Sequence, residues 1–74
     1  MIGFSSGETA EHLGIKKDRL IAAIRKSGAP EASMRIGGKR VFTPTDVAAI
    51  RRWYQARGKA VKAFDERKYE TAGA

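Results

Sequence analysis

The spacing of hydrophobic and polar positions predicts three short helices in this chain of 74 residues. Apolar residues recur every three or four positions in stretches that end at Leu13, run from about Lys17 to Ser27, and follow Pro44. That period places one face of each helix against a core. The expected inward positions are Ala10 and Leu13 in the first helix, Leu20, Ala23, Ile24 and Ser27 in the second, and Val47, Ile50, Trp53 and Tyr54 in the third.

Residues at the helix ends support these boundaries. Ser5 and Glu8 can form a capping box, in which each side chain accepts a hydrogen bond from the backbone N–H of the other. Thr43 and Asp46 repeat the pattern around a proline at the first helical position. Glycine suits the left-handed residue that often ends a helix. The expected stop signals are Gly14, Gly28 and Gly58.

Between the second and third helices, two short runs of strand-forming residues flank a Gly-Gly pair. Met34 to Ile36 precede the pair and Lys39 to Phe42 follow it. Tight hairpin turns need positive φ at their centre, which glycine adopts without strain. We therefore expect a mainly α fold with a small β-hairpin. A weaker helical pattern runs from Lys59 to Glu70, which predicts a domain of residues 1–58 and a C-terminal helical extension, partly disordered, of residues 59–74.

The charge of the chain is strongly localised. Fifteen Lys and Arg residues against eight Asp and Glu give a net charge of +7. Between Lys16 and Lys62 there are thirteen basic residues and three acidic ones, a net charge of +10, whereas the rest of the chain is net acidic. Such a concentration attracts a polyanion, and nucleic acid is the expected one. An anionic membrane surface is the rival, but it favours large apolar residues opposite the cations of a helix.

Other functions fit this composition poorly. The chain has no cysteine, and its single histidine, His12, is expected to be structural, so we expect no metal and no cofactor. No Ser-His-Asp set, paired carboxylates or phosphate-binding loop can be assembled, so we expect no enzymatic activity. Because no apolar run has membrane-spanning length and the N-terminus lacks a signal-peptide layout, we expect no membrane association and a cytoplasmic, nucleoid-associated protein.

The order of these features resembles the MerR-type winged helix-turn-helix. The resemblance covers about two-thirds of the chain and lies in Thr9-Ala10, Leu13-Gly14-Ile15, Leu20, Gly28-Ala29-Pro30 and Gly38-Lys39-Arg40-Val41-Phe42-Thr43-Pro44-Thr45-Asp46-Val47. More narrowly, the chain is similar to small excisionases, the recombination directionality factors of phages and mobile elements. The resemblance implies a recognition helix in the major groove of DNA and a wing on the adjacent minor groove or backbone. The tail from Lys59 matches no part of these families.

By this resemblance the second helix is the recognition helix. The residues left on its outer surface are Lys16, Lys17, Arg19, Ala22, Arg25 and Lys26. Since a recognition helix turns its N-terminal half to base edges, we expect Lys17, Arg19 and Ala22 to meet bases and Lys16 to meet a phosphate. In the wing, the expected DNA contacts are Arg35, Gly37, Gly38, Lys39 and Arg40. Because side chains alternate across a strand, one of Lys39 and Arg40 is the candidate to shield the core instead.

Two features of the third helix and its neighbourhood have alternatives. The pair Arg51-Arg52 either contacts phosphates or packs its stems over apolar residues. Phe42, Trp53 and Tyr54 are interpreted as core residues rather than as stacking platforms for single strands, because their spacing matches the inward stripe.

Charge and resemblance together imply a sequence-preferring double-stranded DNA-binding protein. In the excisionase version, several copies bind neighbouring sites, bend the DNA and direct an integrase towards excision, with transcription regulation as a further role. The alternatives are a MerR-like transcriptional regulator, the DNA-binding domain of a phage small terminase subunit and, in another class, an adaptor for an acidic protein partner. Self-association on DNA would supply specificity that one small module lacks. The candidates for protomer contact are Val61, Phe64 and Tyr69, with docking onto their own domain as the equal alternative.

Overall fold

The structure is a computed structural model that describes residues 3–69. In that range the chain forms three α-helices and a two-stranded antiparallel hairpin, which confirms the expected mainly α fold with a small β-hairpin. The elements are α1 (Ser6–Leu13), α2 (Lys17–Lys26), β1 (Met34–Ile36), β2 (Lys39–Val41), α3 (Pro44–Ala56) and a short 3-10 helix (Glu66–Tyr69). Within residues 3–69, no helix combines the length and the apolar character needed to cross a membrane.

Both predicted capping boxes are present. The Ser5 Oγ accepts from the Glu8 N–H at 3.1 Å, and Glu8 returns the interaction at 2.9 Å. Thr43 and Asp46 form the same pair of bonds at 3.1 and 2.9 Å at the start of α3. Gly14 ends α1 in the left-handed conformation, with φ 71°. These local hydrogen bonds satisfy N–H and C=O groups that the helix itself leaves unpaired, so the boundaries follow from the sequence.

The hairpin has the tight turn that the Gly-Gly pair predicts. Gly37 and Gly38 have φ angles of 58° and 79°, the conformation of a two-residue type I′ turn. Arg35 lies directly opposite Arg40, and Ile36 lies opposite Lys39. The base of the hairpin carries one feature that we did not predict. Phe4 pairs with Phe42 by two backbone hydrogen bonds of 2.8 Å, which ties the N-terminal segment to the end of β2.

One core joins the three helices and the base of the hairpin. Its fully enclosed apolar side chains are Leu13, Leu20, Phe42, Val47 and Ile50. Tyr54 is buried as expected, whereas Trp53 packs against the core from a half-buried position at its edge. Ser27 is exposed, because α2 ends at Lys26 and the last position of its predicted stripe falls outside the helix.

The predicted helix from Lys59 to Glu70 is wrong for the part that the structure describes. Residues 59–65 form neither helix nor strand, and only the 3-10 helix follows. In this irregular segment the Lys62 N–H donates to the Leu13 carbonyl at 3.0 Å, one of the groups left unpaired at the end of α1. Residues 70–74, expected to be frayed, lie outside the described range.

Of the two alternatives for the tail, the structure shows docking onto its own domain. Phe64 and Tyr69 stack on each other with ring centroids 5.5 Å apart. Both rings contact Phe4 and His12 edge-on at centroid distances between 5.2 and 6.2 Å, and the Phe4 and His12 ring centroids are 4.7 Å apart. Val61 also packs against the core. The three residues proposed for protomer contact therefore pack within their own chain, and His12 has a structural role in an aromatic cluster.

Candidate nucleic-acid interface

The outer surface of α2 is exposed along its whole length. Leu20 and Ala23 are buried, which fixes the rotation of the helix about its axis. With about 100° of rotation per residue, Ala22 and Arg25 point almost directly away from Leu20, and Arg19 lies on one flank. The six residues expected to contact DNA from α2 and its N-cap are all exposed: Lys16, Lys17, Arg19, Ala22, Arg25 and Lys26.

The cations of α2 have no acidic partners in the described part of the chain. Between residues 3 and 69, the salt bridges use Arg35, Arg40, Arg52 and Arg67, and none involves a residue of α2 or Lys16. The nearest acidic residue in sequence, Asp18, is exposed in the first turn of α2, where a carboxylate is favourable to the helix dipole. Most of the positive charge of this helix is therefore uncompensated by direct contacts.

One flank of α2 borders a basic groove, which we call the α2–α3 groove. Its volume is about 310 Å³. Its lining residues are Arg19, Ala22, Ala23 and Ser27 from α2 and its end, and Trp53, Tyr54, Arg57 and Lys59 from the end of α3 and the tail. A neighbouring depression beside Lys16 also includes Arg19. The groove thus joins two residues predicted to read bases, Arg19 and Ala22, to two cations that the sequence pattern did not single out.

Arg57 is held in a fixed position at the edge of this groove. Its guanidinium lies 4.3 Å from the centroid of the Trp53 ring, and its Nη2 donates to the Ser27 carbonyl at 3.2 Å. A guanidinium over an aromatic face is stabilised by the ring quadrupole and keeps its remaining N–H groups for other acceptors. The sequence carried a signal for this pair, since residues four apart on a helix share a face. Interpreting Trp53 purely as a core residue concealed it.

Tyr54 lines the same groove from below. Its ring is 3% exposed, and its buried hydroxyl has no hydrogen-bond partner within residues 3–69. Burial raises the pKa of the Tyr54 phenol, and the positive charge of Arg19 opposes that rise. Arg19 therefore lines the groove and also acts electrostatically on the Tyr54 phenol.

The arginines of the hairpin are in a different situation. Arg40 Nε donates to Glu31 Oε1 at 2.7 Å, and Arg35 Nη2 lies 3.7 Å from the other oxygen of the same carboxylate. The hydrogen bond from Arg40 is the main reason that the pKa of Glu31 lies below its ordinary value. The side chain of Arg40 is 15% exposed and that of Arg35 is 54% exposed. Of Lys39 and Arg40, Arg40 is the less exposed, and its assignment as a DNA contact stays a prediction.

Asp46 anchors the base of the hairpin to α3. Its Oδ2 accepts from the Ser33 N–H at 3.0 Å, from the Ser33 hydroxyl at 2.7 Å and from the Thr43 N–H at 2.9 Å. Burial acts to raise the pKa of Asp46, but these hydrogen bonds outweigh it and hold the pKa below its ordinary value. The capping residue of α3 thus also fixes the segment that enters β1.

The apex of the hairpin is open. Lys39 is exposed, and a Cβ built on Gly37 or Gly38 would meet nothing within 4 Å. The two glycines therefore give a thin backbone apex, as expected for close approach to a groove of DNA. Ile36, at the end of β1, is 67% exposed.

The contacts group the predicted residues into two sets. Arg19 and Ala22 of α2 line the α2–α3 groove together with residues at the end of α3. Arg35 and Arg40 of the hairpin form ion pairs with Glu31. No hydrogen bond or ion pair of the described residues joins α2 to the hairpin. The molecule measures 33 × 28 × 17 Å, so its longest dimension is close to one helical turn of a DNA duplex. Arg51 and Arg52, in contrast, bind the tail, through the Lys62 carbonyl and Glu66.

Residues 3–69 contain no group of three or more His, Asp or Glu side chains placed to hold a metal ion. No protein-family model, curated protein or solved structure matches the chain.

Proposed function

We propose that this protein binds double-stranded DNA as a winged helix-turn-helix, with α2 as the recognition helix and the hairpin as the wing. The observation that carries the proposal is the exposed face of α2, whose cations have no acidic partners within residues 3–69. A row of unpaired cations on one helix is costly in self-repulsion unless a polyanion neutralises it. The phosphate backbone of DNA supplies that neutralisation with release of its counterions.

Within this proposal the groups have separate tasks. Lys17, Arg19 and Ala22 meet base edges, while Lys16, Arg25 and Lys26 meet phosphates. Arg57 and Lys59, across the α2–α3 groove from Arg19, extend the phosphate contacts along one strand of the backbone. At the other end of the interface, the exposed Lys39 and the glycine apex approach the neighbouring groove.

The excisionase version adds cooperation between copies. A body whose longest dimension is 33 Å covers about one turn of duplex, which limits the specificity that one copy can reach. Several copies on adjacent sites would multiply this specificity. They would also bend the DNA and direct an integrase towards excision. In a footprint, protection should extend stepwise over neighbouring sites as the protein concentration rises, whereas a single protected site at all concentrations would contradict cooperation.

The decisive test is a titration of labelled duplex at several salt concentrations. If about five phosphates are contacted, the logarithm of the association constant should fall with the logarithm of salt at a slope of roughly −4 to −5. Arg67→Ala is the matched control, since it removes one exposed guanidinium from the tail, where Arg67 is already paired with Asp65. Its slope should equal that of the wild type. A flat salt response in the wild type would contradict the proposal. So would a slope in Arg67→Ala that is clearly shallower than the wild-type slope.

An adaptor for an acidic protein is the alternative of another class, and the same uncompensated charge on α2 favours it. The two are separated by competitor DNA. A random duplex in excess should weaken binding of labelled duplex if DNA is the ligand, whereas an adaptor would form no stable DNA complex at moderate salt.

A further inference from the structure

Ile36 stands out because an apolar side chain lies in water at the apex of the hairpin. It is 67% exposed, and in the described residues it is the one large hydrophobic side chain with such exposure. It is the last residue of β1, immediately before the glycine turn. Since its side chain is mostly in water, it adds little to the hydrophobic stabilisation of the fold.

The position of Ile36 on the hairpin follows from strand geometry. Alternate residues share a face, so Ile36 lies on the same side as Met34, and cross-strand pairing adds Val41 and Lys39 to that side. Met34 and Val41 are half-buried. The apolar stripe of this face therefore continues past the edge of the body and ends, uncovered, at Ile36. Strand propensity does not require an apolar residue there, because threonine is also β-branched and favoured in strands.

The surroundings of Ile36 are basic and narrow. Lys39, its cross-strand partner, is exposed and forms no salt bridge within residues 3–69. Gly37 and Gly38 add no side chains to the apex, and a Cβ built on either would meet nothing within 4 Å. The tip thus presents one apolar side chain and one cation on a thin backbone. That combination fits a surface with an apolar interior and negative edges.

We infer that Ile36 is a wedge that enters the minor groove of a DNA duplex and partly unstacks one base step, with Lys39 against a flanking phosphate. The inference rests on the proposed function, which it deepens by naming the contact that bends the DNA. Apolar side chains inserted from the minor groove kink a duplex by about 20–90° towards the major groove. The favoured target is a TA or CA/TG step, because these pyrimidine–purine steps unstack most easily.

The inference separates binding from bending, which gives it a direct test. Ile36→Thr keeps a β-branched strand residue and removes the apolar wedge, and Ile36→Gln is a second polar variant. Ile36→Leu is the matched control that retains an apolar side chain. Because Ile36 is mostly exposed, all three should give the circular dichroism and melting temperature of the wild type.

The experiment uses a duplex of about 30 base pairs with a fluorescent donor and acceptor on its ends and a 2-aminopurine at a central TA step. Wild type and Ile36→Leu should raise both energy transfer and 2-aminopurine emission on binding. The Thr and Gln variants should bind with affinities within about threefold of the wild type, since phosphate contacts dominate affinity, but raise neither signal.

The outcomes distinguish the two proposals. A wild-type protein that forms no complex with duplex would end the proposed DNA-binding function and the wedge together. If the wild type binds without bending, or the Thr and Gln variants bend DNA as the wild type does, the wedge is overturned while DNA binding stands. Loss of bending in both polar variants, with the Leu variant intact, supports the wedge.

Discussion

Helix α2 and the hairpin both carry several cations but offer them differently. The cations of α2 are exposed and without acidic partners in the range 3–69, whereas two of the three hairpin cations share the carboxylate of Glu31. A count of Lys and Arg along the sequence treats the two regions as equivalent. The structure shows that a single glutamate before β1 makes them unequal, because its carboxylate pairs with Arg35 and Arg40 and leaves Lys39 as the one hairpin cation without an acidic partner within residues 3–69.

This difference assigns different tasks to the two regions. For Arg40 to reach a phosphate, it must exchange a 2.7 Å bond to Glu31 for a new partner, and the gain in free energy is only the difference between the two. Arg19 and Lys17 give up no such partner. We therefore expect α2 to supply most of the affinity, and the hairpin to act through the shape of its apex and through Lys39.

The largest expected effect is a loss of affinity on removing one arginine from α2. Arg19→Ala should weaken binding to a preferred site about tenfold or more, in line with about 1–3 kcal/mol for an arginine at a base edge. Arg40→Ala, the matched removal from the hairpin, should weaken it by about threefold or less, since the Arg40 guanidinium must give up its bond to Glu31 before it reaches a phosphate. Fluorescence anisotropy at one fixed salt concentration measures both. Equal losses would erase the distinction between the two regions.

A smaller effect of opposite sign is expected when the hairpin cations are released. Glu31→Gln removes the shared carboxylate from Arg35 and Arg40, so duplex affinity should rise severalfold and the salt dependence should steepen by about one to two phosphate contacts. Glu66→Gln is the control, because it releases Arg52 on α3 from its partner without touching the hairpin. If both variants gain affinity equally, general charge rather than the hairpin explains the gain.

The smallest expected effect is a pH dependence confined to the hairpin. The folded-state pKa values of Glu31 and Asp46 lie below their ordinary values of 4.5 and 3.8. The unfolded chain then binds more protons than the folded one in acid, so their stabilisation is complete above those values and is lost as the pH falls through the folded pKa values. The melting temperature of the wild type should fall as the pH is lowered from 6 to 3. In Asp46→Asn it should fall less steeply.

Hydrogen exchange at acid pH locates that loss. Amides near Ser33 and Thr43 should exchange faster as Asp46 becomes protonated, because its carboxylate accepts both of their N–H groups. The amides of α2, which bind no carboxylate side chain, should keep their protection. Uniform loss of protection along the chain would show that acid acts on the whole fold instead.

The sequence predicted those parts of the fold that depend on neighbouring residues. Ser5 with Glu8 and Thr43 with Asp46 are three positions apart, so their mutual hydrogen bonds could be expected from the local pattern of residues alone. The Gly-Gly turn follows in the same way from the φ angles that a tight hairpin needs. The outward residues of α2 follow from helical periodicity alone.

Features formed by distant segments could not be predicted in this way. The partnership of Glu31 with Arg40 depends on how the loop before β1 folds back, and the pairing of Phe4 with Phe42 joins segments 38 positions apart. The spacing of Val61, Phe64 and Lys68 predicts a helix in the tail. The tail instead donates the Lys62 N–H to the Leu13 carbonyl, a contact between distant segments that only the packed structure reveals.

The aromatic cluster brings together Phe4 and Tyr69, whose ring centroids are 5.2 Å apart, from near the two ends of the described chain. This closure joins residues 65 positions apart, so on the ribosome it forms only after the helices and the hairpin have emerged. Until then Phe4 and His12 lack their covering rings. Shortening the chain before Phe64 would therefore leave Phe4 and His12 permanently without these covering rings.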